Sequence, residues 1–152
     1  MSSSRQIYTY PEGDVYEGDW SHEGKKHGIG QLKLLDGSVY EGRFQHGLFN
    51  GVGTFKFADG SFYQGEFSNG LYNGHGIYVR CDGMMFEGAF RNGRPDGPGL
   101  ITFADGSHGN PKQEGYFEGT RITKRESAGP ALKKARLCAE RAKKTTLYDN
   151  AL

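Results

Sequence analysis

Five histidines, two cysteines and a set of recurring carboxylates are the side chains here with chemistry to offer. The histidines are His22, His27, His46, His75 and His108, and the cysteines are Cys81 and Cys138. A metal site needs such ligands at clustered spacing, and no Cys-x-x-Cys occurs. Four of the five histidines directly precede a glycine, where turn chemistry accounts for them. The pair Glu17/Asp19 would suit acid–base work only inside a closed cleft, and it sits within a repeated pattern instead. No Ser or Cys has a neighbouring His and orienting group that can be read from the sequence. Gly28-x-Gly30 and its copies lack the strand-to-helix context of a phosphate-binding loop. The chain therefore reads as non-catalytic, with no cofactor and no metal.

What positions these residues is a repeat. Tyr16-Glu17-Gly18-Asp19-Trp20, Tyr40-Glu41-Gly42-Arg43-Phe44, Tyr63-Gln64-Gly65-Glu66-Phe67 and Phe86-Glu87-Gly88-Ala89-Phe90 align at steps of 24, 23 and 23 residues. Each block runs on into Gly-x-Gly and closes on Asp-Gly, from Asp36-Gly37 to Asp105-Gly106. The extra residue of the first unit falls between Ser21 and His27, where an insertion costs little. The whole units are 16–39, 40–62, 63–85 and 86–108. Half-units flank them at Ile7–Gly13 and Glu114–Gly119, so the array spans 7–119.

A spacing of two puts Tyr40, Gly42 and Phe44 on one strand face and Glu41 and Arg43 on the other. Gly53, Phe55 and Phe57 repeat this on a return strand. His46 to Gly51 reads as the turn between them, and Asp59-Gly60 as the tight turn to the next unit. Each unit is thus a hairpin, and glycine recurs too often for a helix. The expected fold is all-β: a single-layer antiparallel β-meander, an open curved sheet of about ten strands and roughly 45–50 Å length. Tyr and Phe rings lie over strand glycines that have no Cβ, each burial contributing about 2–3 kcal/mol. One such face has no second layer over it, so it is either a binding groove or is covered by the same chain.

Composition agrees. Of 152 residues, 25 are Gly and 19 are Tyr or Phe, so few aliphatic residues remain for an ordinary core. Two distant cysteines read as free thiols of a reducing compartment. No signal peptide or membrane-spanning stretch is evident, which points to a cytoplasmic or peripheral protein. Residues 1–120 hold 10 Lys/Arg against 15 Asp/Glu, whereas residues 121–152 hold 9 against 3. An acidic body thus carries a basic tail that lacks interleaved aromatics, a poor match to nucleic acid.

The pattern Tyr-x-Gly-x-Phe/Trp, Gly-x-Gly, Asp-Gly at a 23-residue step resembles the MORN repeat (membrane occupation and recognition nexus). Finer features are similar to the retinophilin type of that family. These are Gly47-Leu48-Phe49-Asn50-Gly51, the run Phe103 to Pro111, Glu114-Gly115-Tyr116-Phe117-Glu118 and a basic helical tail. The resemblance implies a single-layer sheet whose groove takes the tail of a class III myosin. It also implies a place in actin-based protrusions of sensory cells, such as filopodia, stereocilia or rhabdomere-like structures.

The units disagree at one place. Lys25-Lys26 and Arg94-Pro95 occupy the turn in the outer units, and Leu48-Phe49 and Leu71-Tyr72 in the middle ones. Paired apolar residues there either mark an interaction patch or pack on the next turn. The partner-binding candidates are Tyr40, Phe44, Leu48, Phe49, Phe55, Phe57, Tyr63, Phe67, Leu71, Tyr72, Tyr78, Phe86 and Phe90. Glu41, Glu66 and Glu87 either steer a basic peptide or solubilise the sheet's outer face.

Residues 1–6 read as disordered, and 120–152 as a basic tail with a helix over about 130–146. Leu132, Ala135, Ala139 and Ala142 form its narrow apolar stripe. That helix has three candidate roles: capping the last strand edge, lying as a lid in the acidic trough, or binding a membrane or partner. The need to protect an open edge favours the first. Lys133, Lys134, Arg136, Arg141, Lys143 and Lys144 are the lid or lipid candidates. The functional reading is a protein-binding adaptor for a myosin tail, acting as a monomer. The alternatives are a tether to anionic membrane through the tail, or a regulatory module beside an enzyme.

Overall fold

Turn chemistry sets the chain path. In the second to fourth units, two-residue links lie wholly in the left-handed region: His46-Gly47 at φ 52° and 86°, Asn69-Gly70 at 51° and 90°, Asn92-Gly93 at 51° and 85°. Such turns match the twist of the strands they join, so pairing resumes at once. The opposite links run through Asp-Gly. Asp36, Asp59 and Asp82 each accept the backbone N–H two residues on, at 2.8, 2.8 and 3.1 Å, which fixes a short loop closed by glycine.

The computed structural model describes residues 6–104 and 112–147. Within them the strands are β1 (Gln6–Thr9), β2 (Val15–Trp20), β3 (Lys26–Lys33), β4 (Val39–Gln45), β5 (Leu48–Lys56) and β6 (Phe62–Ser68). They continue as β7 (Leu71–Val79), β8 (Met85–Arg91), β9 (Arg94–Thr102), β10 (Lys112–Glu118) and β11 (Arg121–Arg125). All pair antiparallel in sequence order in one sheet, followed by the helix α1 (Gly129–Lys144). The expected open β-meander with a C-terminal helix is therefore the fold.

Two readings change. Leu48-Phe49 and Leu71-Tyr72 do not lie in turns: Leu48 pairs with Gln45 and Phe49 with Phe44, so both begin β5. The two-residue turn leaves nothing for them to span, and Gly51, at φ 93°, serves a bulge between Gly42 and Phe44. Arg121–Arg125, read as the start of the tail, is an eleventh strand, held by Phe117↔Ile122 and by the turn glycine Gly119. Of residues 1–6, Gln6 begins β1 and the rest lie outside the described residues, as do Asp105-Gly106 and most of the run to Pro111.

The core lies on the sheet. Gly42 and Gly53 face one another across β4–β5, and a Cβ on Gly53 would run into the Tyr40 ring. Tyr40 reaches across and donates its hydroxyl to the Arg43 carbonyl at 2.7 Å, and Tyr16 and Tyr63 repeat the contact to Asp19 and Glu66. Rings also interlock between units. Tyr16 meets Phe44, Tyr40 meets Phe67, Tyr63 meets Phe90 and Phe86 meets Phe117, edge to face with centroids 5.0–5.2 Å apart. Each such pair contributes about 0.5–1.5 kcal/mol beyond its burial. No unit is complete without the next.

Candidate partner-binding faces

The strand period divides the candidates between two faces. On the ring face, the residues of the repeat signature form a floor. Tyr40, Phe44, Tyr63, Phe67, Phe86 and Phe90 are 0–4% exposed. This corrects their assignment as contact residues: each is covered by neighbouring rings of the chain and is core.

A second tier lies on that floor. Phe49 stacks on Tyr40 at 4.0 Å and 17°, and Tyr72 stacks on Tyr63 at 4.6 Å and 26°. Phe55, Phe57 and Tyr78 continue the tier, Phe55–Phe57 at 4.7 Å and Phe57–Tyr78 at 6.2 Å. These five are half-buried, so their outer surfaces remain open. Burial, followed by the neighbouring Tyr78, raises the Tyr72 hydroxyl pKa. Leu48 and Leu71, at the turn ends of the same strands and one residue out of step with the tier, are each 47% exposed. The paired apolar residues therefore split, with one member joining the tier and the other meeting solvent.

The same positions in other units carry different chemistry. Lys26 places its ammonium over the Tyr10 ring at 4.5 Å and near Tyr16 at 5.8 Å. Pro95 sits opposite Phe90, and Ile122 opposite Phe117. Tyr10, Leu34, Phe103 and Ile122 also pack on this core, and sequence reasoning did not single them out. Ile122 had a signal, its alternation with Lys124 after a glycine turn.

The opposite face carries Glu41, Glu87 and Glu114 along one row, and α1 lies across it against β5 to β9. Ala131, Leu132, Ala135, Ala139 and Ala142 are its buried stripe, and small side chains let the helix approach closely. Leu132 joins Ala128 and Leu100 in a small cluster. The carboxylates take donors from the tail. Ala128 donates its N–H to Glu114 at 2.6 Å and Leu147 its N–H to Glu41 at 2.7 Å. Arg136 grips Glu87 through two bonds of 2.8 and 3.2 Å. Burial, then the nearby Glu66 carboxylate, raises the Cys138 thiol pKa, and that carboxylate also accepts the His75 N–H at 2.7 Å.

Glu41, Glu66 and Glu87 face away from the rings, as the strand period placed them, and each accepts a donor of the chain itself. One expectation is corrected here. The helix is not a cap on the β11 edge. The donors it presents at both ends and at Arg136 match the carboxylate row, and the row draws it over the middle strands. Lys133, Lys134, Arg141, Lys143 and Lys144 point to solvent, as does Leu137 at 52% exposure. No helix among the described residues is long and apolar enough to cross a membrane, and no group of three or more His, Cys, Asp or Glu among them could hold a metal ion.

Comparison with known proteins matches this architecture. A family model described as the MORN repeat matches residues 16–39, 40–62, 63–85 and 86–108. A MORN repeat-containing protein 4 homolog of Drosophila melanogaster is 60% identical over 132 residues, spanning 87% of this chain and 67% of the relative.

Proposed function

The chain belongs to the MORN-repeat family, and on that footing we propose that it is a non-catalytic adaptor whose ring face binds a segment of another protein. One observation carries the reading. The helix covers the carboxylate face and leaves the tier of Phe49, Phe55, Phe57, Tyr72 and Tyr78 open, with two exposed leucines at the turn ends of its strands. A monomer has little reason to leave such a patch uncovered unless something docks there. By the resemblance of its motifs to the retinophilin type, the partner is the tail of a class III myosin, and the setting is an actin-based protrusion in the cytoplasm.

Calorimetric titration with a class III myosin tail segment tests this. Replacing Leu48 and Leu71 with Lys is expected to weaken binding at least tenfold with no change in melting temperature. Unchanged affinity removes these leucines from the interface, and no binding by the unaltered chain removes the myosin assignment.

A second reading rests on the solvent side of α1. Lys133, Lys134, Arg141, Lys143 and Lys144 form a cationic surface suited to anionic lipid. The apolar stripe is already committed to the sheet, so attraction would rest on charge. Co-sedimentation with phosphatidylserine vesicles that vanishes at high salt would support it.

A further inference from the structure

The ring face is not tiled evenly. In units 2 and 3 the chain lays its own ring on the floor, Phe49 on Tyr40 and Tyr72 on Tyr63. In unit 4 the matching residue is Pro95, which pairs with Phe90 as Phe49 pairs with Phe44 and Tyr72 with Phe67. The rings that meet Phe86, those of Phe90 and Phe117, stand edge-on to it, at 88° and 84°. A hollow of about 200 Å³ opens here, lined by Tyr72, Tyr78, Met84, Phe86, Phe90 and Pro95, with Arg80 in its polar wall. An apolar cavity of about 150 Å³ holds a benzene ring, so the hollow matches one aromatic side chain.

Met84 marks the same unit. It follows Gly83 where Ser38 and Ser61 follow Gly37 and Gly60, and it is 5% exposed against the core. Its unbranched thioether can shift to admit a ring and contact the ring edge. Arg80, the cation on the hollow's wall, is already engaged by Asp82 at 2.8 Å, so shape and apolar lining define the hollow.

We propose that this hollow seats one aromatic side chain of the segment bound by the ring face. The proposal rests on the adaptor reading and names the chemistry that the adaptor selects. Units 2 and 3 show the shape of the fit, because a ring of the chain itself occupies the corresponding place in each. Unit 4 leaves the place to the partner.

Phenylacetate supplies a flat ring, and cyclohexylacetate supplies a puckered ring with the same charge. The Met84 methyl resonance of the full chain, labelled with carbon-13, is followed while each is added. Saturable shifts in the millimolar range are expected, with phenylacetate at least threefold tighter. Pro95→Phe should lay a ring on Phe86, abolish these shifts and weaken binding of the class III myosin tail segment at least tenfold. A Met84 methyl that phenylacetate does not move overturns the seat. So does a folded Pro95→Phe variant that binds the tail segment as tightly as the unaltered chain. If the unaltered chain binds no tail segment but phenylacetate still shifts Met84 until Pro95→Phe, the seat stands and the myosin assignment fails.

Discussion

The two faces of the sheet are made by the same repeat, one residue out of step, and they are finished in opposite ways. On the carboxylate face the chain supplies its own second layer, because glutamates in a row need donors and α1 brings N–H groups and a guanidinium to them. On the ring face burial is achieved without a second element, by stacking one tier of rings on another. The polar face is therefore closed and the apolar face is left open, the reverse of the usual arrangement of a half-buried sheet. Regular positions of the repeat build the floor. Positions where the copies differ decide what meets solvent.

The sharpest way to break this contrast is at the floor. Gly53→Val puts two methyl groups into the space filled by the Tyr40 ring. It is expected to cost more than about 3 kcal/mol, which for a chain of this size is enough to lose cooperative melting or lower the midpoint by about 10 °C. Val is otherwise a good strand residue, so a variant that melts like the unaltered chain would show that the rings do not need the glycines.

Alkaline pH probes the same floor through its hydroxyls. Burial, the largest cause for all three, raises the pKa of Tyr16, Tyr40 and Tyr63 above the ordinary tyrosine value. Below about pH 10 both folded and unfolded chains keep these protons. Above it the unfolded chain releases them while the folded chain holds them, so stability falls as pH rises, by about 4 kcal/mol per pH unit for three groups. Tyr40→Phe keeps a ring and removes one of the groups. Denaturant melts at pH 9 and 11 should show a shallower loss in the variant, and an equal loss would mean that Tyr40 ionises without unfolding.

Much of this was legible in the sequence, and the reason is periodicity. A period of two within a period of 23 fixes strands, faces and hairpins before any coordinates. What could not be read were features that depend on which side of a turn a residue falls. His46-Gly47 could belong to a long loop or a two-residue turn, and only the latter sends Phe49 back over Tyr40. The burial of the signature rings beneath that second tier followed from the same point. The site of the helix was hidden for another reason. Its stripe of alanines fits many surfaces, and the choice is made by contacts distant in sequence, Arg136 to Glu87 and Leu147 to Glu41.

Those contacts give the next test. Glu87 is buried, its side chain 6% exposed, while Arg136 remains 56% exposed. Arg136→Ala leaves a carboxylate under the helix with its strongest donor gone. Because the arginine is partly solvated, the cost is expected to be about 1–2 kcal/mol, below that of a fully buried pair. The effect should appear as loosening of α1 and not as loss of the sheet. Alkylation of Cys138, slowed by its raised pKa and partial burial, should accelerate about tenfold, while exposed Cys81 reacts as before. Equal rates at Cys138 would mean that the helix is held without the Arg136 bonds.

The smallest expected effect asks whether the faces are independent. Lys133→Glu with Lys134→Glu reverses two charges on the outer side of α1, where both residues are exposed. Solvated substitutions of this kind stay within about 0.5 kcal/mol of stability. Their distance to the ring face includes the helix and the sheet, more than the roughly 8 Å over which salt screens charge. Binding of the myosin tail segment should therefore change less than twofold, while any sedimentation with phosphatidylserine vesicles should be lost. If the double variant weakens segment binding as strongly as the Leu48 and Leu71 replacements, the partner wraps both faces, and the division of the sheet into a closed side and an open one is wrong.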